Sequence, residues 1–553
     1  MATSTYSFVR GDGRLTRRQS LLTGLATAAV ALRPAVAADR PRVQVLVPGT
    51  VIQAVEGIDF GPDGTLYGTS IHGQAVYRID VRTGTVGIEV ASPEGESDDI
   101  AVGPAGTAVA GVLAWTAQTT GEIRMRRPGG KVEVILPNAP RVNPIAFSRQ
   151  GRLFTAQVGA GDNALWELDA TGAKPPRLVT KGQGRLNGFG FGPDGRIYAP
   201  LFGTSKLVAV DPESGAYTEI AQNVGTPAAA KVDARGDVIS VDYMTGDVWR
   251  TTLSDGRSRI IATLREAIDN LAIAPDGTIY LSNVVDSAIH ALDPATGLSR
   301  TVVPGWFTVP LGMTMARLEG REMALVADPF GYRYVDPKTG EVYRPHWTGN
   351  RGASSSVAAD ARFIAFAYAG SGRMRRIDRA TDQLAGETTE LKTPRGLALT
   401  ADGDVIVADA GSGRIVRWTG NSLATLAEGL KEPVALALEN DATALVTEFA
   451  RGSIARVDLA RGIRTEIAAG FDRPTGLAPM ADGRIAVVEP ERGTVTAVTA
   501  DGRARSVLAD GLPLSIAKLH LPANTPSGIA VDEHGALIVA CGADNSIRKL
   551  TLV

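Results

Sequence analysis

Short apolar runs separated by Gly-containing turns fill this chain, and the 3.6-residue spacing of an amphipathic helix is almost absent. Residues 269–303, DNLAIAPDGTIYLSNVVDSAIHALDPATGLSRTVV, contain one full unit of the pattern. LAIA reads as an apolar strand, and Pro275-Asp276-Gly277 as a tight turn. TIYLSN and AIHALD follow as two further strands, and Pro294-Ala295-Thr296-Gly297 turns the chain into an outer strand, SRTVV. The glycine of the first turn recurs at Gly64, Gly106, Gly151, Gly195, Gly236, Gly277, Gly320, Gly403, Gly483 and Gly535, with Ala361 and Ala442 at the two remaining places. The steps run from 39 to 45 residues except the last, where the segment 510–526 adds about ten residues and reads as a surface loop.

That period suits a four-stranded propeller blade. Twelve blades fit poorly in one ring, so the pattern predicts an all-β chain of two tandem six-bladed β-propellers. VQVLVPG (43–49) precedes the first unit and SRTVVPG (299–305) the seventh, and SIRKLTLV leaves the twelfth blade one strand short. The expectation is that 43–49 closes blade six and 299–305 closes blade twelve, so that each ring is sealed by its own N-terminal outer strand and no edge stays exposed. The domains expected are residues 1–37, 38–297 and 298–553.

Residues 1–37 form the first of these for a separate reason. Thr16-Arg17-Arg18-Gln19-Ser20-Leu21-Leu22 opens an apolar stretch that ends at Ala35-Val36-Ala37, the order of a twin-arginine-type export signal. Its removal takes away five arginines and Asp12 and moves the net charge from −2 to −6. A periplasmic or secreted protein is expected, with no membrane span after cleavage and no charge footprint for nucleic acid. Cys541 is the only cysteine, so no internal disulfide forms, and its run ALIVACG reads as a buried strand.

One position in the repeat varies in an ordered way. Eight residues before the turn glycine, the first ring reads Glu56, Asp98, Asn143, Asn187, Ala228, Asp269. The second reads Leu311 (after a short insertion), Ala353, Arg395, Val434, Thr475, Ser527. The position opens the innermost strand, so its copies converge on one mouth of the channel. Carboxylates gathered there repel unless they are protonated or neutralised by a cation. An all-oxygen set of Glu, Asp and Asn suits Ca²⁺, with another divalent cation the alternative. A water-filled channel lined by polar groups would need no ion.

Glu56 in EGIDF, Asn143 in NPIAF, Asn187 in NGFGF and Asp269 in DNLAI resemble the inner-strand motifs of the gluconolactonase, paraoxonase and strictosidine-synthase superfamily of calcium-dependent six-bladed propellers. The Asp269-Asn270 pair is similar to the paraoxonase branch, and IVADAGSGRIVRW (405–417) in the second half resembles interaction-type NHL repeats. The resemblance implies calcium held by Glu56, Asn143, Asn187, Asp269 and Asn270. In that family such Asn and Asp ligands come from successive blades, whereas here Ala228 intervenes. Asp242, Tyr243 and Met244, in a loop of blade five, are further candidates for that mouth. The activity implied is hydrolysis of a lactone or ester, a small-molecule substrate. Asp98 or His72 (in TSIHGQA) is the candidate base, and Trp115, Phe202 and Tyr243 are candidate walls of a substrate pocket. A lyase on the same scaffold and a non-enzymatic propeller binding a protein or glycan through the second ring are the alternative readings.

Overall fold

A computed structural model of the chain describes residues 41–159, 163–343, 354–368 and 370–552. The signal-type residues 1–37 and Ala353 lie outside this set. The turn glycines sit where only glycine is at ease: Gly64, Gly195 and Gly277 have φ of 82°, 80° and 88°. In the first of these turns Asp63 caps the bend by accepting the Thr65 N–H at 3.0 Å. Each such turn joins an inner strand to a second strand, and the described residues form twelve four-stranded antiparallel sheets. Among the described residues the one helical element is a 3₁₀ turn, Pro490–Arg492, so no described helix is long and apolar enough to cross a membrane.

The inner strands neighbour one another in two closed circuits. Ile58–Phe60, Ile100–Val102, Val142–Phe147, Gly190–Phe191, Pro227–Val232 and Ile268–Ile273 form the first. Met313–Leu318, Ser354–Ala359, Pro394–Leu399, Pro433–Asn440, Gly476–Pro479 and Ile529–Val531 form the second. The hydrophobic core is divided between neighbouring blades. Ile52, Ile58 and Leu66 of blade one, for instance, pack with Tyr280, Ile289 and Val302 of blade six. Cys541 is buried in strand Leu537–Cys541, as expected, and burial pushes its thiol up to about 12.

Ring closure differs from the expectation. Ser299–Val303 stays with blade six, and Arg42–Val47 pairs with Ser546–Thr551 to complete blade twelve. Both strands are exposed over their first residues and buried over their last two, so pattern alone does not distinguish them. Connectivity does: Ser299–Val303 follows its neighbour through a tight turn, and closing so short a loop costs little entropy. Blade twelve, whose third strand is Ser546–Thr551, takes the other copy. Leu46 and Val47 thereby enter a cluster with Phe307, Val326, Ile538 and Ile547.

In several blades an acidic residue at the end of the second strand staples the entering chain. Asp242 accepts the Thr226 N–H at 3.0 Å, Asp328 that of Thr308 at 2.8 Å, Asp409 that of Thr393 at 2.6 Å and Glu448 that of Lys431 at 2.9 Å. Asp242 also accepts the Met244 N–H at 2.7 Å. It is thus a backbone cap, while Met244 is exposed. Segment 510–526 is more than a surface loop: Leu512, Leu514, Ile516 and Leu519 are buried. The His520 N–H reaches the His72 carbonyl of ring one at 2.9 Å.

The strand pairing predicts the effect of deleting residues 38–47. Exposing the sites of Leu46 and Val47 should cost ring two about 4 kcal/mol. Limited proteolysis with mass spectrometry should then show early cleavage within 306–552 while 50–303 survives; earlier opening of ring one would refute the pairing.

Candidate functional site

Six inner strands meet so closely at the axis of ring one that some positions exclude a side chain. A Cβ added at Gly57 would lie 2.4 Å from Asp99 Oδ1 and 2.8 Å from the Asp98 carbonyl. At Gly188 it would lie 2.5 Å from Ala229 Cβ. The glycine of the EG and NG phrases therefore makes room for the neighbouring blade, and the residue before it opens the strand at the mouth.

Four acids gather at that mouth. Glu56 is 7 % and Asp98 8 % exposed, Glu96 is buried, and Asp269 is half-buried but densely surrounded. Glu56 Oε2 accepts the Ile71 N–H at 2.7 Å, and Ser282 of blade six donates to the Glu56 carbonyl at 2.6 Å. Asp98 Oδ2 accepts from Gln118 Nε2 at 2.5 Å and Asn143 Nδ2 at 2.6 Å. Glu96 Oε1 accepts the Thr119 N–H at 3.1 Å, while its Oε2 is buried without a hydrogen-bond partner.

Burial first, and then the charges of Asp98 and Asp269, hold the Glu56 carboxyl well above its usual range. Burial and the charges of Asp269 and Asp99 do the same to Asp98. Burial with the charge of Asp99 pushes Asp269 up to about 7. No arginine or lysine is among the groups that move these three most. Tyr243 stands in the same field: burial, then Asp269, Glu56 and Asp98, raise its hydroxyl.

A second polar layer lies deeper in the channel. Asp99, 2 % exposed, accepts the Ile145 N–H at 3.1 Å and Asn270 Nδ2 at 3.1 Å, and burial pushes it up to about 6 against the pull of Lys231. Lys231 donates to the Phe189 carbonyl at 2.7 Å. It lines the opposite mouth, a cavity of about 410 Å³, together with Asp59, Phe60, Phe147 and Phe191.

The structure thus brings together Glu56, Asp98, Asn143, Asp269 and Tyr243 and adds Glu96 and Gln118. Asn187 opens its strand half-buried on the same circuit. Asn270 does not join the mouth: its Oδ1 accepts the Leu271 N–H at 2.8 Å and its nitrogen serves Asp99. Trp115 is no pocket wall but a fully buried residue of strand Leu113–Ala117, packed with Val76, Ile100 and Val102. Phe202, in the loop after Ile197–Leu201, lies under the Arg185 guanidinium at 5.2 Å. His72 faces ring two, its ring 5.4 Å from that of Phe330 and its Nδ1 buried without a partner. Burial and the charge of His520 push it down to about 4. Asp99 lies one place beyond the strand-opening position at which the blades differ. The doubled acid in ESDDI was its signal.

The donors at the mouth are hard oxygens, and their raised pKa values record a charge that a divalent cation would relieve. Among the described residues no three His, Cys, Asp or Glu side chains come close enough together to hold a metal ion by themselves. A bound ion would therefore draw on amide oxygens as well.

The NHL repeat family model matches residues 391–418, which open blade nine. With the sheet topology, this makes the chain a β-propeller protein carrying an NHL-type repeat in its second ring. No protein of curated function is detectably similar in sequence. Among solved structures, a gluconolactonase candidate is similar at 16 % identity, covering 48 % of this chain and 94 % of its own, with a TM-score of 0.37. A streptogramin B lyase is similar at 15 % identity over 66 % and 93 %, with a TM-score of 0.28. The nidogen–laminin complex contains a chain similar at 16 % identity over 37 % and 78 %, with a TM-score of 0.34.

The raised Asp269 pKa fixes the sign of a pH effect. In metal-free protein the unfolded chain ionises this group first, so its favourable contribution is complete below about 4 and is lost as pH rises to about 7. Asp269→Asn should therefore gain stability over wild type between pH 4 and 7, by about 2 kcal/mol once partial exposure is allowed for, and level off above. Thermal melts in EDTA across that range check it; a pH-independent difference would refute the raised value.

Proposed function

We propose that the mouth of ring one is the active site of an exported, calcium-dependent hydrolase of lactones or esters. The observation that carries this reading is the gathering of Glu56, Glu96, Asp98 and Asp269 at one mouth, all four shifted upward chiefly by burial, with Glu56 and Asp98 raised further by neighbouring carboxylates. Glu56 and Asp269 would hold the ion, with amide oxygen from Asn143 and Asn187. Calcium, when bound, supplies an electrophile that polarises a carbonyl and stabilises negative charge developing on its oxygen.

The chain's own residues do the rest. Gln118 and Asn143 fix the Asp98 carboxylate by two amide donors to one oxygen, which leaves its orientation set before a substrate arrives. Glu96 has one buried oxygen without a partner, a place for a proton taken from water. Tyr243, packed against Ala54, Ala267, Val284 and Val285, brings its hydroxyl into the field of Asp269, Glu56 and Asp98. His72 is neutral at physiological pH and turned toward ring two, so Asp98 and Glu96 are the better acid–base candidates. The export-type N-terminus supports a periplasmic or secreted setting, where calcium is available.

Protein purified without chelator should contain about one calcium per chain and lose thermal stability in EDTA. Glu96→Gln should retain the calcium but lower lactone turnover roughly 10²-fold or more, whereas Glu56→Gln should lose both. Mass analysis of the product separates water addition from the elimination a lyase would perform. Absence of metal, with no response of the melt to added calcium, would overturn the reading.

A further inference from the structure

The mouth of ring two carries the opposite charge. Arg395 opens the inner strand of blade nine at the position that Glu56 occupies in blade one. It is followed by Gly396, where a Cβ would lie 2.4 Å from the Val434 carbonyl of the next blade. Leu311, Val434, Thr475 and Ser527 occupy the same layer, with Thr475 Oγ1 and Ser527 Oγ 2.9 Å apart. Arg395 is 2 % exposed. One of its nitrogens, Nη2, donates to Asn524 Oδ1 at 2.6 Å. Nε and Nη1 are buried and have no hydrogen-bond partner among the described residues. Glu432 is the charge that favours the guanidinium most, but it sits on an exposed turn. Burial pushes Arg395 down to about 10, so it still carries its charge at neutral pH.

A guanidinium with unpaired, desolvated N–H groups is costly to a fold, because burying a charge without partners forfeits its hydration. The other buried arginines described in ring two hold more partners: Arg333, 1 % exposed, donates to the carbonyls of Trp306, Tyr332 and Val285, and Arg376 to those of Gly403 and Thr419. Arg395 instead holds a single amide oxygen, supplied by segment 510–526.

We infer that ring two is a binding module for a small oxyanion, a carboxylate or a phosphate, taken up by Arg395 with Thr475 and Ser527 in the same mouth and with Asn524 as the group it displaces. A planar or tetrahedral oxyanion can take two N–H donors of one guanidinium at once, which an amide oxygen cannot. Asn524 lies in the segment whose His520 N–H bonds the His72 carbonyl. A ligand at Arg395 therefore shifts a segment that touches the rim of ring one.

The test uses the full mature chain with acetate and inorganic phosphate as probes, against chloride at matched ionic strength. Thermal melts and calorimetry should show that wild type is stabilised by one or both oxyanions at millimolar concentration, acetate alone marking a carboxylate site and phosphate a phosphate site. Arg395→Met should abolish that stabilisation while melting in chloride at or above the wild-type temperature, because an unpaired buried charge is gone. Asn524→Ala, which leaves Arg395 intact, should tighten oxyanion binding several-fold. Equal responses of wild type and Arg395→Met, or no oxyanion response in either wild type or Asn524→Ala, would overturn the inference. So would a markedly lower melting temperature of Arg395→Met in chloride, with faster tryptic cleavage at Lys518, since Arg395 would then serve only to pin the segment.

Discussion

Everything at the centre of each ring depends on how little space six converging strands leave there. At Gly57 a single added carbon would strike both the Asp99 carboxylate and the Asp98 carbonyl, and at Gly188 the next blade's Ala229. Backbones pressed together in this way let the strand-opening residue of each blade project into the mouth, where loop residues such as Glu96, Gln118 and Tyr243 join it. The axis is consequently the one place where side chains from six distant stretches of sequence meet, whatever those side chains are. Chemistry follows from which residues are placed there.

Ring one places acids there and ring two an arginine. Neither arrangement favours folding. Carboxylates that raise one another's pKa are held in a form less stable than they would adopt apart, and a buried guanidinium with one partner has lost hydration that nothing replaces. The rest of the molecule shows what acids look like when they serve the fold: Asp242, Asp328, Asp409 and Glu448 each cap backbone N–H groups at the same blade position. That contrast separates the two mouths from the many other charges of the chain. It matches the general tendency of functional sites to hold groups the fold alone would not choose.

The repeat period, the turn glycines and the convergence of Glu56, Asp98, Asn143 and Asp269 were legible in the sequence, because each rests on a local rule repeated blade after blade. Features that depend on more than one blade were not. RVQVLV and SRTVV carry the same exposed-then-buried pattern, so only the relative ease of closing a short turn decides which blade each joins. Trp115 is no pocket wall because LAWTA is a continuous apolar run, the mark of a strand buried on both faces. Asn270 shares a strand with Asp269 but points to the deeper layer, since successive residues alternate. Segment 510–526 falls outside the repeat, and its four buried apolar residues had no periodic frame to reveal them.

The pairing of Arg42–Val47 with Ser546–Thr551 has one more consequence. In topological terms ring one is a guest inserted into ring two, between the host's first strand and the remainder of its blades. The host cannot be completed until the guest has been made, so ring one is free to fold as it emerges while ring two waits for the last residues of the chain. The polypeptide also crosses between them twice, near Gly49 and near Gly305, where an added carbon would lie 1.7 Å from the Asp544 carbonyl and 2.1 Å from that of Asp286. Two crossings restrict relative motion more than a single tether would, and bonds such as those from Arg333 and Asn545 to the Val285 and Ile52 carbonyls add to the restraint.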